Sequence, residues 1–255
     1  MHRLITISVS HYCEKVRWAM ELAGEPYQES AHLPLMHWPY SLAAGAGRTV
    51  PALETEDGKV YGDSTEILLW LDRLHPQLGL YGSSAAEREP IAALEDLLDE
   101  KLGPAVRRWA YFHLLPDKGL TLRIAGQGVS QAERWILDAT FPAARGLLRR
   151  GLGVDAQRTE RSVRKFREIL ASLSEKLSDG RPFLMGPQLT AADLTFAALA
   201  GPLLQPPEHP VPFPPLEQIP VAMRAEVEAA RATAAGQHGL RLYREHRHVA
   251  ARSLG

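Results

Sequence analysis

An α/β domain followed by an all-helical domain is the fold class that this 255-residue sequence predicts. Three observations predict it. Up to about residue 76, short β-branched runs alternate with stretches of helical period; beyond residue 87 the only strong period is helical; and the change falls across a turn-forming stretch, Gln77 to Glu87, with little periodicity of its own. This reading places an α/β domain at 1–78, a linker at 79–87 and a helical domain at 88–255.

The elements follow in order. Residues 3–9 combine β-branched side chains with partial alternation and read as a strand that ends at Ser10. From Cys13 the period becomes helical, with Val16, Ala19, Met20 and Ala23 on one face, Lys15 and Glu21 off it, and Gly24 as the stop. Pro26 opens a second extended stretch to about Leu33, and 37–47 reads as a short irregular helix or loop ending in Ala-Gly-Ala-Gly. Pro51 to Thr55 and Lys59 to Tyr61 are two short strands joined through Glu56-Asp57-Gly58, a hairpin-turn signal. A helix starts near Ser64, carries Ile67, Leu68, Leu71 and Leu74 at helical spacing, and stops before Pro76. The order is β-α-β-α-β-β-α.

The second domain offers helical candidates at 86–114, 129–150, 158–178, 190–201 and 219–249, the third with Val163, Phe166, Leu170, Leu173 and Leu177 on one stripe. Thr190 and Asp193 stand at capping-box spacing ahead of the fourth. Eight prolines between Gly201 and Pro220 forbid a continuing helix there. Leu203, Leu204, Phe213 and Leu216 suit packing of that segment along the domain surface; a proline-rich ligand for another protein is the alternative.

Composition bounds the function. With 45% apolar and 23% charged residues the chain builds a core, and a formal net charge of -1 gives no field to gather nucleic acid or anionic lipid. The single cysteine, Cys13, leaves no intrachain disulfide and no thiolate cluster for zinc, which favours a reducing compartment. The apolar run Leu4 to Val9 is too short for a signal peptide, and Ala191 to Leu204 contains Asp193 and Pro202 and is too short to span a bilayer. A cytoplasmic protein without metal, membrane or nucleic-acid partner is expected.

Three segments hold residues suited to chemistry. Ser10 and Cys13 flank the start of the first helix, where free amides and a partial positive charge favour a thiolate. Ser10 also suits a plain N-cap, and a shielded Cys13 suits a small apolar residue. Val50-Pro51 precedes a strand, and Asp63-Ser64-Thr65 opens a helix whose donors suit a carboxylate or simply cap the helix. Trp109, Tyr111, Phe112 and His113 cluster near the end of the first long helix of the second domain, as core or as pocket lining.

In order and spacing, Ser10-His11-Tyr12-Cys13, Val50-Pro51 and Asp63-Ser64-Thr65 resemble the thioredoxin-like N-terminal domain of the soluble, cytosolic-type glutathione S-transferases, in a serine-type or cysteine-containing bacterial- or plant-like class. The turn Phe183 to Gly186 followed by the Thr190–Asp193 box resembles their all-α C-terminal domain. The resemblance implies glutathione as cosubstrate and an apolar electrophile as its partner, with Ser10 donating a hydrogen bond to the glutathione sulfur. A cis bond at Val50-Pro51 would free the Val50 backbone for the cysteinyl unit, Asp63 and Ser64 would meet the γ-glutamyl unit, and Arg48, with His37 or Trp38, the glycyl carboxylate. It also implies a homodimer. Two alternatives stay open: a glutathione-dependent disulfide reductase or peroxidase using Cys13 or glutathione itself, and a non-catalytic binding or interaction module.

Overall fold

The computed structural model describes residues 1–247. Strand β1 (His2–Ile7) pairs in parallel with β2 (Tyr27–His32) and antiparallel with β3 (Ala52–Glu54), which pairs with β4 (Val60–Tyr61), giving the order β2-β1-β3-β4. Helix α1 (His11–Ala23) makes the parallel crossover, α2 (Trp38–Ala43) sits in the loop after β2, and α3 (Ser64–Leu74) follows the hairpin. This is a thioredoxin-like sheet-and-helix domain, in the element order the sequence predicts. Gly24, in the left-handed region at φ 69°, ends α1 where the sequence places its stop.

The helical region begins with α4 (Ala85–Leu97), which runs through a π-helical turn at Leu98–Leu102 into α5 (Gly103–Leu114). Then come α6 (Lys118–Ala125), α7 (Gln131–Gly151), α8 (Ala156–Lys176), α9 (Ala191–Leu204), α10 (Val221–Arg231) and α11 (Ala234–His246). Helix α6 is missing from the sequence reading because eight residues including Gly119 do not complete an amphipathic pattern; Asp117, whose carboxylate accepts from the Leu120 N–H at 2.9 Å, was its signal. The single candidate at 219–249 is two helices, because Thr233 caps a second start by accepting from the Gly236 N–H at 2.9 Å. Its last residues, 248–249, and the domain end at 255 lie outside the described residues.

Helix α1 is buried nearly all round, not on one face. Lys15 is fully buried, because α1 lies between α3 on one side and α9 on the other. Its Nζ reaches Glu95 at 2.7 Å and Asp99 at 2.5 Å, and the Thr65 hydroxyl joins the same two carboxylates. Leaving those charges unpaired would cost several kcal/mol each, so the set holds α1 and α3 to the start of the helical region. Apolar packing crosses at the same place: Val16, Trp18, Ala19 and Met20 share one core with Ala191, Ala192, Leu194 and Ala197 of α9. A second core, around Trp109, Phe166, Phe196 and Leu199, belongs to the helices. The segment between α3 and α4 is packed too, with Leu80 and Tyr81 fully buried.

Helix α9 is apolar all round and starts on the capping residues that the sequence marks. Asp193, fully buried, accepts from the Thr190 N–H at 3.1 Å and the Thr190 hydroxyl at 3.0 Å, and its other oxygen accepts from the Leu184 N–H at 2.8 Å and lies 3.0 Å from His238 Nε2. No described helix is long and apolar enough to cross a membrane.

Candidate active site

The N-terminus of α1 opens onto a cleft of about 340 Å³ between the two parts of the fold. Ser10, half-buried, stands in its wall as the N-cap of α1, its Oγ accepting from the Cys13 N–H at 3.4 Å. That bond is long, and the Ser10 hydroxyl, which also hydrogen-bonds the Cys13 thiol, stands in the cleft wall where it can rotate towards an incoming acceptor. Cys13 lies behind it, fully buried and outside the cleft wall. Burial pushes its thiol above the usual cysteine range, against the opposing pull of Arg17 and the Ser10 hydrogen bond.

Opposite α1, the Val50-Pro51 bond is cis and Val50 forms part of the wall. Among the described residues no hydrogen bond reaches the Val50 N–H or C=O, whereas Ala52, two residues on, is already paired with Ile5 of β1. Arg48, exposed at the rim, stacks its guanidinium 5.3 Å from the Trp38 ring centre. Its carbonyl lies 3.0 Å from His37 Nε2; burial lowers the pKa of His37, so the neutral ring donates that bond and ties the loop down.

Asp63 and Ser64 open α3. The Asp63 carboxylate accepts from the Thr65 and Glu66 N–H groups at 2.8 and 3.3 Å, while Ser64 is nearly buried and its hydroxyl has no bond among the described residues. Thr65 is committed to the Lys15 set. Pro51, Asp63 and Ser64 do not line the cleft itself, so it gathers Ser10, Arg48 and Val50 of the predicted site residues.

The neighbours of Ser10 are held neutral. His11, 5% exposed, has its pKa lowered to about 3 by burial first, with Arg107 and His209 adding to it. Tyr12 is raised by burial, with the Asp99 and Asp63 carboxylates working the same way against Arg107. Its hydroxyl donates to the Asp99 carbonyl at 2.6 Å across the start of α5, where a side chain on Gly103 would overlap the phenol.

The rest of the wall comes from the helical region, and sequence reasoning missed most of it. Arg107 and Tyr111 of α5, Phe141 and Arg145 of α7, and Phe213 of the proline-rich segment face the cleft. That segment is a wall of the site and not only surface packing: its prolines hold Val211 to Pro214 extended beside α1. Within the aromatic cluster, Trp109 is fully buried core, Tyr111 lines the cleft, and Phe112 and His113 line a smaller cavity next to it. Among the described residues no group of three or more His, Cys, Asp and Glu side chains is placed to hold a metal ion.

Residues 4–79 match the family model of the glutathione S-transferase N-terminal domain. No curated protein matches the chain by sequence. Among solved structures, the chain is similar to a glutathione S-transferase from Rhodospirillum rubrum (19% identity, 97% of this chain and 100% of that one, TM-score 0.58) and to Gtt2 from Saccharomyces cerevisiae (18%, 93% and 100%, 0.58). It is similar also to the β-etherase LigF from a Sphingobium species (20%, 94% and 98%, 0.59). At these identities the structural likeness establishes fold. Residues 4–79 thus match the N-terminal domain of the glutathione S-transferases, and over its length the chain has the fold of these solved structures.

Proposed function

We propose that this protein joins glutathione to an apolar electrophile, with Ser10 lowering the energy of the glutathione thiolate. The observation that carries the reading is the position of the Ser10 hydroxyl: at a helix N-terminus and in the wall of an apolar cleft. Glutathione would supply the nucleophilic sulfur. Ser10 would donate a hydrogen bond to that sulfur, and the first amides of α1 add a partial positive charge behind it. Val50 would pair its free N–H and C=O with the cysteinyl backbone in the manner of an added strand, next to Pro51.

Asp63 and Ser64, at the mouth of α3, would take the γ-glutamyl end, and Arg48 the glycyl carboxylate. The helical wall would seat the electrophile, so that proximity supplies much of the acceleration. The burial and raised thiol pKa of Cys13 favour Ser10 over Cys13 as the group that acts on the sulfur. The reading carries with it a cytoplasmic homodimer, which sedimentation would detect.

Ser10→Ala and Cys13→Ala, each assayed for conjugation of a model electrophile and for reduction of a mixed disulfide, test it. Loss of a preorganised donor costs about 10²–10³ in rate, and that loss is expected for Ser10→Ala in conjugation. Conjugation that survives Ser10→Ala and disappears with Cys13→Ala would transfer the chemistry to the cysteine. A folded protein that does not bind glutathione at millimolar concentration would leave the non-catalytic reading.

A further inference from the structure

We propose that the helical side of the cleft selects an anionic electrophile: Arg107 and Tyr111 of α5, with Arg145 of α7, hold a carboxylate carried on an otherwise apolar, aryl-type substrate. The proposal deepens, and rests on, the reading of this cleft as the place where glutathione meets an electrophile.

Among the described residues the cleft wall holds three arginines, Arg48, Arg107 and Arg145, and neither a carboxylate nor a lysine. The whole chain, by contrast, has a formal net charge of -1. Arg107 and Arg145 are half-buried, and among the described residues neither forms an ion pair or a hydrogen bond; Arg107 has only the face of Tyr12, 5.9 Å away. Other withdrawn arginines of the same fold are engaged. Arg108, next in sequence, donates to the Leu152 carbonyl and the Ser162 hydroxyl, Arg231 to the Leu204 and Gln205 carbonyls, and Arg17 to Glu29. A guanidinium partly withdrawn from water with no acceptor is unfavourable, and a bound carboxylate, which matches its planar fork, removes the penalty.

Tyr111 lies one turn beyond Arg107 on the same face of α5, and it shares the ridge between the cleft and the smaller cavity with Arg145. Burial keeps its phenol protonated, so it offers a donor. All three groups are donors. Around them Leu114, Ile124, Phe141, Leu148 and Phe213 are apolar, which suits a ring and not a second charge. The histidines of the wall, His11, His37 and His209, are held neutral by burial, so the positive charge rests on arginine alone.

The test compares p-(chloromethyl)benzoate with its methyl ester in conjugation. In both, the carbon–sulfur bond forms as the carbon–chlorine bond breaks, chloride leaves with the electron pair, and the thiol proton passes to solvent. The native protein is expected to favour the carboxylate by about tenfold or more in kcat/KM over the ratio without protein, as a charge-assisted pair gives. Arg107→Gln and Arg145→Gln should each collapse that ratio, and Arg150→Gln, on the exposed side of α7, should not. A parallel arm measures equilibrium binding of unreactive p-toluate and p-toluamide with and without S-methylglutathione. Tighter, arginine-dependent binding of toluate that S-methylglutathione leaves intact is expected. Equal affinity for the two, displacement of toluate by S-methylglutathione, or equal slowing of both substrates in Arg107→Gln would overturn the proposal. If neither chloromethyl compound reacts while toluate still binds through Arg107, the transferase reading fails and the anion site stands.

Discussion

At the scale of single residues, His11 ties the stability of the fold to pH. Its pKa is lowered to about 3 in the fold from an ordinary 6.5, so the unfolded chain takes up its proton first, and stability falls as pH drops through 6.5 towards 3. At pH 5 the loss from His11 alone is about 2 kcal/mol relative to pH 7. Urea unfolding at the two pH values should show His11→Gln losing less stability than the native protein by that amount; an equal loss in both would remove His11 as the source. Gly103 makes a second residue-scale prediction: Gly103→Ala pushes the Tyr12 phenol off the Asp99 carbonyl and should cost about 1–3 kcal/mol in the same measurement. Of the cleft wall, Ser10 was legible from its place ahead of the first helix, and Val50 and Arg48 from the family resemblance. Arg107 and Arg145 were not, because an arginine on an amphipathic helix reads as solvated surface until its surroundings are known.

Among the elements, α9 shows what spacing in a sequence can carry. The Thr190–Asp193 pair marked its start, and the structure adds the Leu184 N–H and His238 to the same carboxylate. Asp193→Ala would strand those groups in the core and is expected to cost about 3 kcal/mol or more, read as a lowered urea midpoint at unchanged slope. A cost below about 1 kcal/mol would mean that water or a shift of the turn replaces the carboxylate. Helix α1 shows the limit. Its apolar face was legible, but its polar residues looked solvent-facing, since nothing local tells that Lys15 meets Glu95 and Asp99 from eighty or more residues away. The same limit hid the role of the proline-rich segment, whose residues face the cleft only because α9 ends beside α1.

At the scale of the whole molecule, the cleft exists because the two parts of the chain share a core. Trp18 packs with residues of α9 and α11, and Lys15 is enclosed by carboxylates of the helical region. The chain should therefore unfold in one transition, with fluorescence and far-ultraviolet circular dichroism coinciding; two separated transitions would refute the coupling. Lys15→Met leaves two facing buried carboxylates and is expected to lower stability by about 3–5 kcal/mol without dividing that transition. Fold class and the element order of the first domain were legible because strand and helical periods are local. The pairing of α1 with α9 was not, being a long-range choice. The central claim, that Ser10 stabilises the sulfur of glutathione, is tested most directly by titrating the ultraviolet thiolate absorbance of glutathione bound to the native protein, to Ser10→Ala and to Cys13→Ala. The account predicts a bound thiol that ionises below about pH 7.5 in the native protein and in Cys13→Ala, and that moves back towards the ordinary thiol value in Ser10→Ala. An ionisation that Ser10→Ala leaves in place, with glutathione still bound, would contradict it.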